Sequence, residues 1–253
     1  MPNFDDATIE KLFGADDAEN ERSERFKEYF YYNHAYESLV SDLPVRVLVG
    51  HKGVGKSALL KRAYLSDIDR DIKCIWIRPD ALLSIQTSAS ADNQFIKLIE
   101  TWKRGILVQI INNFFGDNAS QIAPELNTAK AADLVKLVIK SINTDANTIG
   151  TTSDSVVNIY IDDIDRGWSA SADAIKNISA LLNAIRDIGG LESRIRIRIG
   201  LRSDVYFLVR TSDESTDKIE RNVIWLRWSN DQVLRVMAKR IATFFHLNTD
   251  QMK

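Results

Sequence analysis

The chain of 253 residues has one cysteine, Cys74, so no disulfide can close within it, and that fits a reducing compartment. Cys74 sits in an apolar run, where burial as a small hydrophobe accounts for it better than reactivity. Charge of one sign is also lacking. With 33 Lys and Arg against 35 Asp and Glu, the net charge is −2, and no overall basic excess argues for a nucleic-acid or membrane surface, only a local patch staying open. No apolar run approaches the roughly 20 residues that cross a bilayer. The N-terminus MPNFDDATIEKLFGADDAE is acidic and lacks the basic-then-apolar layout of a secretion signal. These absences make a soluble, cytoplasmic protein the expectation. The apolar share of 45%, with 27% charged residues, is that of an ordinary globule, long enough to bury a sizeable core.

The stretch that organises the chain is LPVRVLVGHKGVGKSALLKRA, Leu43 to Ala63. An apolar run, Val45 to Val49, ends in Gly50-His51-Lys52-Gly53-Val54-Gly55-Lys56-Ser57-Ala58 and opens into a helix-forming segment. This is GxxxxGK[ST] between a strand and a helix start, the context the motif requires. Glycines let the backbone curl so that successive N–H groups point at one anion, and the following helix adds partial positive charge. The loop is shaped for phosphate. Lys56 suits the β- and γ-phosphates, and the Ser57 hydroxyl suits Mg²⁺ bridging the same oxygens.

The second decisive stretch is VVNIYIDDIDRG, Val156 to Gly167. A buried strand here delivers carboxylates to its C-terminal edge. Asp162 is the expected metal-side residue and Asp163 the expected base that orients water. A turn capped by Asp162, Asp163 and Asp165 is the plainer alternative.

Residues 1–42 form an acidic arm with apolar Ile9, Leu12 and Phe13, then an aromatic helix carrying Phe26, Tyr29, Phe30, Tyr32, Tyr36 and Leu39. Its aromatics serve as core, or else Tyr32 or His34 lies near a nucleobase. KCIWIRP, Lys73 to Pro79, predicts a second strand, and Ser84 to Asp92 a Ser/Ala/Asp-rich link. Phe95, Ile99, Trp102, Ile106 and Ile110 stripe a long amphipathic helix. Between Gly116 and Ser155, Ala129 to Ile142 predicts an inserted surface helix among flexible loops. Asp173 to Gly190 predicts a helix with a glycine stop.

In SRIRIRIGLRSD, Ile195, Ile197 and Ile199 alternate with Arg194, Arg196 and Arg198 at strand period. A doubly buried strand should not carry such a row. Either its first half projects beyond the sheet, or the side chains reach outward or meet acids; a nucleic-acid stripe is a further option. Arg202 comes where this strand meets the edge of Gly50 and Asp162, fit to sense a γ-phosphate. SDVYFLVR then predicts a short helix, TSDESTDK a mobile loop, Val223 to Trp228 a fifth strand and DQVLRVMAKRIATFF a last helix.

Five strands alternating with helices predict a three-layer α/β domain with a mainly parallel sheet. GHKGVGKSALL, IYIDDIDR and IGLRSDVY, followed by IWLRWSNDQVLRVMAKRI, resemble a bacterial P-loop ATPase of the broad AAA+/STAND superclass, closest to its KAP-like members. The resemblance runs from about Leu12 to Arg240 and rests on the two Walker motifs. It implies strand order 5-1-4-3-2, a core over 43–228, and the start of a helical lid, truncated, over 229–253. It implies ATP and Mg²⁺ as ligands, slow hydrolysis, and a nucleotide state that switches assembly. Similar modules serve bacterial conflict systems, including antiphage defence. Asp163 stands where many AAA+ members have Glu, which favours a timed switch over fast turnover. The chain stops after one lid-like helix, so it is expected to be part of a longer protein or to rely on a partner. Arg210 or Arg221 would be a neighbour-reaching arginine, or an ordinary surface one. A nucleotide-holding scaffold and a nucleic-acid-dependent ATPase using Arg194, Arg196 and Arg198 are the competing functions.

Overall fold

Alternation along the strands builds two hydrophobic cores at once. Val45, Val47 and Val49 enter one cluster while Leu48 enters the other, and Ile75 and Ile77 likewise oppose Cys74 and Trp76. The sheet is therefore the middle of three layers. The computed structural model describes residues 5, 8, 9, 12, 21–90, 94–115, 129–149, 156–166, 169–212 and 214–247.

In chain order the elements are α1 (Ser23–Tyr29), α2 (His34–Leu39), β1 (Val45–Gly50), α3 (Lys56–Asp69), β2 (Lys73–Ile77), α4 (Pro79–Ser90), α5 (Phe95–Phe115) and α6 (Ala131–Ile149). They continue with β3 (Val157–Ile161), α7 (Ala172–Leu191), β4 (Ile195–Arg202), α8 (Ser203–Ser212), a 3₁₀ segment (Glu214–Asn222), β5 (Val223–Trp225) and α9 (Asn230–Phe244). The five strands lie in the order β2-β3-β4-β1-β5 and every neighbouring pair is parallel. Read from the other edge this is the expected 5-1-4-3-2. Register sets which residues share an edge: Gly50 pairs with Arg202, so β1 and β4 end side by side.

Helices α4 to α8 cover the face holding Val47, Ile159 and Ile197, and α1 to α3 cover the face holding Leu48 and Tyr160. Helix α7 is buried nearly all round, with Ala180, Leu181, Leu182, Ala184 and Ile185 fully inside, because it lies between the sheet and α5. Ser171 caps it, accepting a hydrogen bond from the Ala174 N–H at 3.2 Å.

The structure departs from the sequence expectations in several places. The Ser84 to Asp92 link is, as far as Ser90, the second half of α4, which begins at Pro79, a favoured first helical residue, and buries Leu82 and Ile85. The segment Ala129 to Ile142 is not a surface insertion: α6 packs on α5 with Leu134 and Val138 fully buried. The glycine stop of α7 is not a stop, since the helix runs on to Leu191. Gly189 answers instead to close packing, because a Cβ there would come 3.0 Å from Val45 and 3.1 Å from Pro44. TSDESTDK is largely 3₁₀ rather than loop, and β5 ends at Trp225. The expectations for most of the arm before Glu21, and for residues 116–128 and 150–155, lie outside the described residues.

The arginine row is resolved by partners. Arg194 precedes β4 and holds Glu192 at 3.0 Å, and Arg196 holds Asp42 at 2.9 Å. Arg198 is 2% exposed and donates to the carbonyls of Leu43 at 2.8 Å and Ser41 at 2.7 Å. Burial pushes its guanidinium down to about 10. Close by, Asp67 near the end of α3 accepts from Asn158 at 2.7 Å and from the Tyr160 hydroxyl at 2.6 Å, tying α3 to β3 through a buried network.

Replacing Leu134 by Ala should cost about 2–5 kcal/mol of unfolding free energy in a urea titration, as for a buried leucine. The same change at Leu234, 65% exposed on α9, should stay within about 0.5 kcal/mol.

Candidate functional site

The glycine-rich turn after β1 depends on backbone angles that side chains resist. Gly53 and Gly55 have φ of 78° and 99°, and no side chain caps the N-terminus of α3, which begins at Lys56. The first N–H groups of α3 thus have no capping side chain. Gly50 is required for a different reason: a Cβ there would meet Val54 at 2.7 Å and the Leu226 carbonyl at 3.1 Å. His51, Lys52 and Gly53 lie exposed at the crest, while Val54, Ser57 and Ala58 are half-buried. The Lys56 ammonium donates to the carbonyls of Gly50 at 3.1 Å and His51 at 3.0 Å, so it curls back over its own loop.

The end of β3 brings Asp162 to this loop. The residue is 5% exposed, and burial raises its pKa, opposed most by the Ser57 hydroxyl. Gly200 on β4 makes the approach feasible, since a Cβ there would stand 2.6 Å from Asp162 Oδ1. Asp162 Oδ2 is buried and has no hydrogen-bond partner. A buried oxygen without a partner is costly unless something binds it. Ser57 and Asp162 offer hard oxygen ligands at one point, a donor set that suits Mg²⁺ completed by phosphate and water oxygens. No group of three or more His, Cys, Asp or Glu able to hold a metal occurs among the described residues, and an ion held in this manner needs none.

Asp163 takes φ of 59°, a left-handed conformation that aspartate tolerates, and pairs with Arg166 at 3.2 Å. Its side chain is 43% exposed. Asp165, taken from sequence only as a turn residue, belongs to the site: its carboxylate accepts the Arg202 N–H at 3.2 Å and is the foremost carboxylate acting on Lys56. Burial lowers the Lys56 pKa, and Asp165 and then Asp162 oppose that fall. A third acid three residues after the first, on the turn leaving a buried strand, was the signal that could have found it. Arg202 sits beside Gly50 with its guanidinium held by Asp204 at 2.5 Å and Asp165 at 3.8 Å. His51 Nδ1 and the Ser203 hydroxyl lie 3.1 Å apart.

A cavity of about 300 Å³ adjoins the loop between α1 and α9, lined by Tyr29, Tyr31, Gly53, Val54, Trp228 and Arg240 among others. Trp228 Nε1 donates to the Val54 carbonyl at 2.8 Å, and Arg240 of α9 stacks 4.8 Å over the Tyr29 ring. Tyr32 and His34 do not line it. Tyr32 hydrogen-bonds Arg62, and His34 faces solvent beside Glu37. Arg210 pairs with Glu220 at 3.0 Å, while Arg221 lines a cavity beside Leu43 and Pro44, at the start of β1 rather than its end.

No family model matches the chain, and no curated protein matches it significantly. No described helix is long and apolar enough to cross a membrane.

The raised pKa of Asp162 fixes a sign. The folded carboxyl keeps its proton to higher pH than the unfolded one, so stability falls as pH rises from the ordinary value of 3.8 through the folded value. In chelator-treated buffer, Asp162→Asn should therefore raise the melting temperature at about pH 8, and the gain should vanish toward about pH 4. Thermal melts across that range check it.

Proposed function

We propose that the chain is an ATP-binding, slowly ATP-hydrolysing switch of the P-loop type, similar to the AAA+/STAND ATPases and their KAP-like members. The observation that carries the reading is the meeting of Ser57 with Asp162, whose Oδ2 is buried and unpartnered, under a loop with an uncapped helix start. Two motifs about a hundred residues apart converge on one point, which an accidental glycine turn has no reason to do.

In this reading the phosphates lie on the backbone of Gly53 to Ser57 and draw Lys56 off its carbonyls. The base occupies the aromatic cavity between Tyr31 and Trp228, so that α9, pinned there by Trp228, feels whether nucleotide is present. Ser57 and Asp162 would hold Mg²⁺, which would supply charge neutralisation at the phosphates. Water attacks the γ-phosphorus; the new P–O bond forms as the bond to the β-phosphate oxygen breaks, and Asp163 takes the proton. Arg202, released from Asp204, is the group to meet the γ-phosphate. The output is a change of contact with an effector protein or a second copy. The ion pairs holding Arg194 and Arg196, and the burial of Arg198, leave the nucleic-acid reading without its basic stripe.

A nucleotide-holding scaffold without turnover is the second reading, favoured by the Asp163–Arg166 pair, which occupies the base. Lys56→Ala should abolish tight ATP binding in calorimetry. Asp163→Asn should keep binding and lower phosphate release by about 10²-fold or more. Parental release from Asp163→Asn would refute the base assignment, and no release from the parent chain with any partner would favour the scaffold.

A further inference from the structure

On the other side of the acidic pair lies a cavity of about 480 Å³ that hydrolysis does not explain. Ser57, Asp162 and Asp163 form one wall. An attacking water takes up roughly 30 Å³, whereas pockets of roughly 300–1,000 Å³ are those that take small organic ligands. The space has been built for something larger.

Its other walls say what. Trp76, at the end of β2, and Tyr64, two turns along α3 from Ser57, present aromatic surface. Their rings meet edge to face at 5.7 Å, and Trp76 is backed by the buried Tyr160 ring at 6.1 Å and 12°. Tyr160 is in turn fastened to Asp67. The aromatic wall is thus rigid, and rigid aromatic surface suits stacking of a flat ring. Three cations, Lys61, Arg78 and Arg166, line the same cavity against the two carboxylates. Lys61 is steered by the Glu21 carbonyl at 2.9 Å and Arg166 by Asp163, while Arg78 is exposed at the rim. Arginine beside a stacking platform is the chemistry that recognises a phosphate carried on a ring.

We propose that this cavity binds a second small ligand, a nucleoside monophosphate or a close equivalent, with its ring on the Trp76–Tyr64 wall and its phosphate toward Arg78 and Arg166. The ligand shares the Ser57, Asp162 and Asp163 wall with the loop, so its place next to the reacting end of ATP rests on the function proposed above. Its own binding does not.

The test is equilibrium dialysis with radiolabelled AMP, CMP, GMP and UMP in turn, the loop first saturated with the non-hydrolysable analogue AMP-PNP and Mg²⁺. At least one monophosphate should bind stoichiometrically without displacing the analogue. Arg78→Ala and Trp76→Leu should each weaken it about tenfold or more while leaving AMP-PNP affinity and the circular dichroism spectrum unchanged. Lys56→Ala should still bind the monophosphate, so failure of AMP-PNP to bind the parent chain would sink the ATP reading and leave the cavity standing. Retention of none of the four, competition with AMP-PNP for one site, or undiminished binding in both cavity variants would overturn the proposal.

Discussion

Everything at the candidate site depends on how closely one carboxylate approaches the start of one helix. Asp162 leaves β3 and turns in over β4 toward Ser57, passing across Gly200, where even a methyl would stand 2.6 Å from its oxygen. Three strands must therefore end in register, with a glycine in the middle one. The parallel pairings of β1 with β4 and β3 with β4 supply the register. The buried Asp67 network fixes the far end of α3 against β3, so the helix that begins with Lys56 and Ser57 cannot drift from the strand that carries Asp162.

This arrangement keeps charges buried, and each is answered in a different way. Arg198 is met by main-chain carbonyls and Asp67 by a tyrosine and an asparagine. Asp162 is met only in part, and its orphaned oxygen is the one charge of the three left without a full set of partners. Around it the polar groups are held by each other: Lys56 by its own loop, Arg202 by Asp204, Asp163 by Arg166. The same contacts tie the site to α8, whose first turn carries Asp204, and to α9, which follows Trp228, a donor to the loop.

Legibility in the sequence followed the type of signal. Strands β1 to β3 were readable as short apolar runs, β4 by its alternation and helix α5 by its stripe. Helix α4 was misread where its Ser, Thr and Ala residues imitate a linker; its burial of Leu82 and Ile85 comes from packing on α5. Helix α6 was readable as a helix but not as core, since a stripe such as Leu134, Val135 and Val138 looks alike whether it meets solvent-side loops or a neighbour. Of the site, Lys56, Ser57 and Asp162 were legible as motifs. Asp165 was legible only as a turn acid, and Trp228 and the cavity beside Trp76 were not legible, because each gains its place from a residue far away in the chain.

Local chemistry alone determined the curl of the glycine loop, the helix after it and the apolar strand ending in acids, because backbone angles and hydrophobic period act over a few residues. The tertiary structure decided that Asp162 reaches Ser57 across Gly200, that Arg196 and Arg198 of β4 find partners in the segment before β1, and that two separate cavities flank the loop. Those outcomes depend on strand order and register, which bring together residues over a hundred positions apart, and no local pattern encodes a distance of that kind.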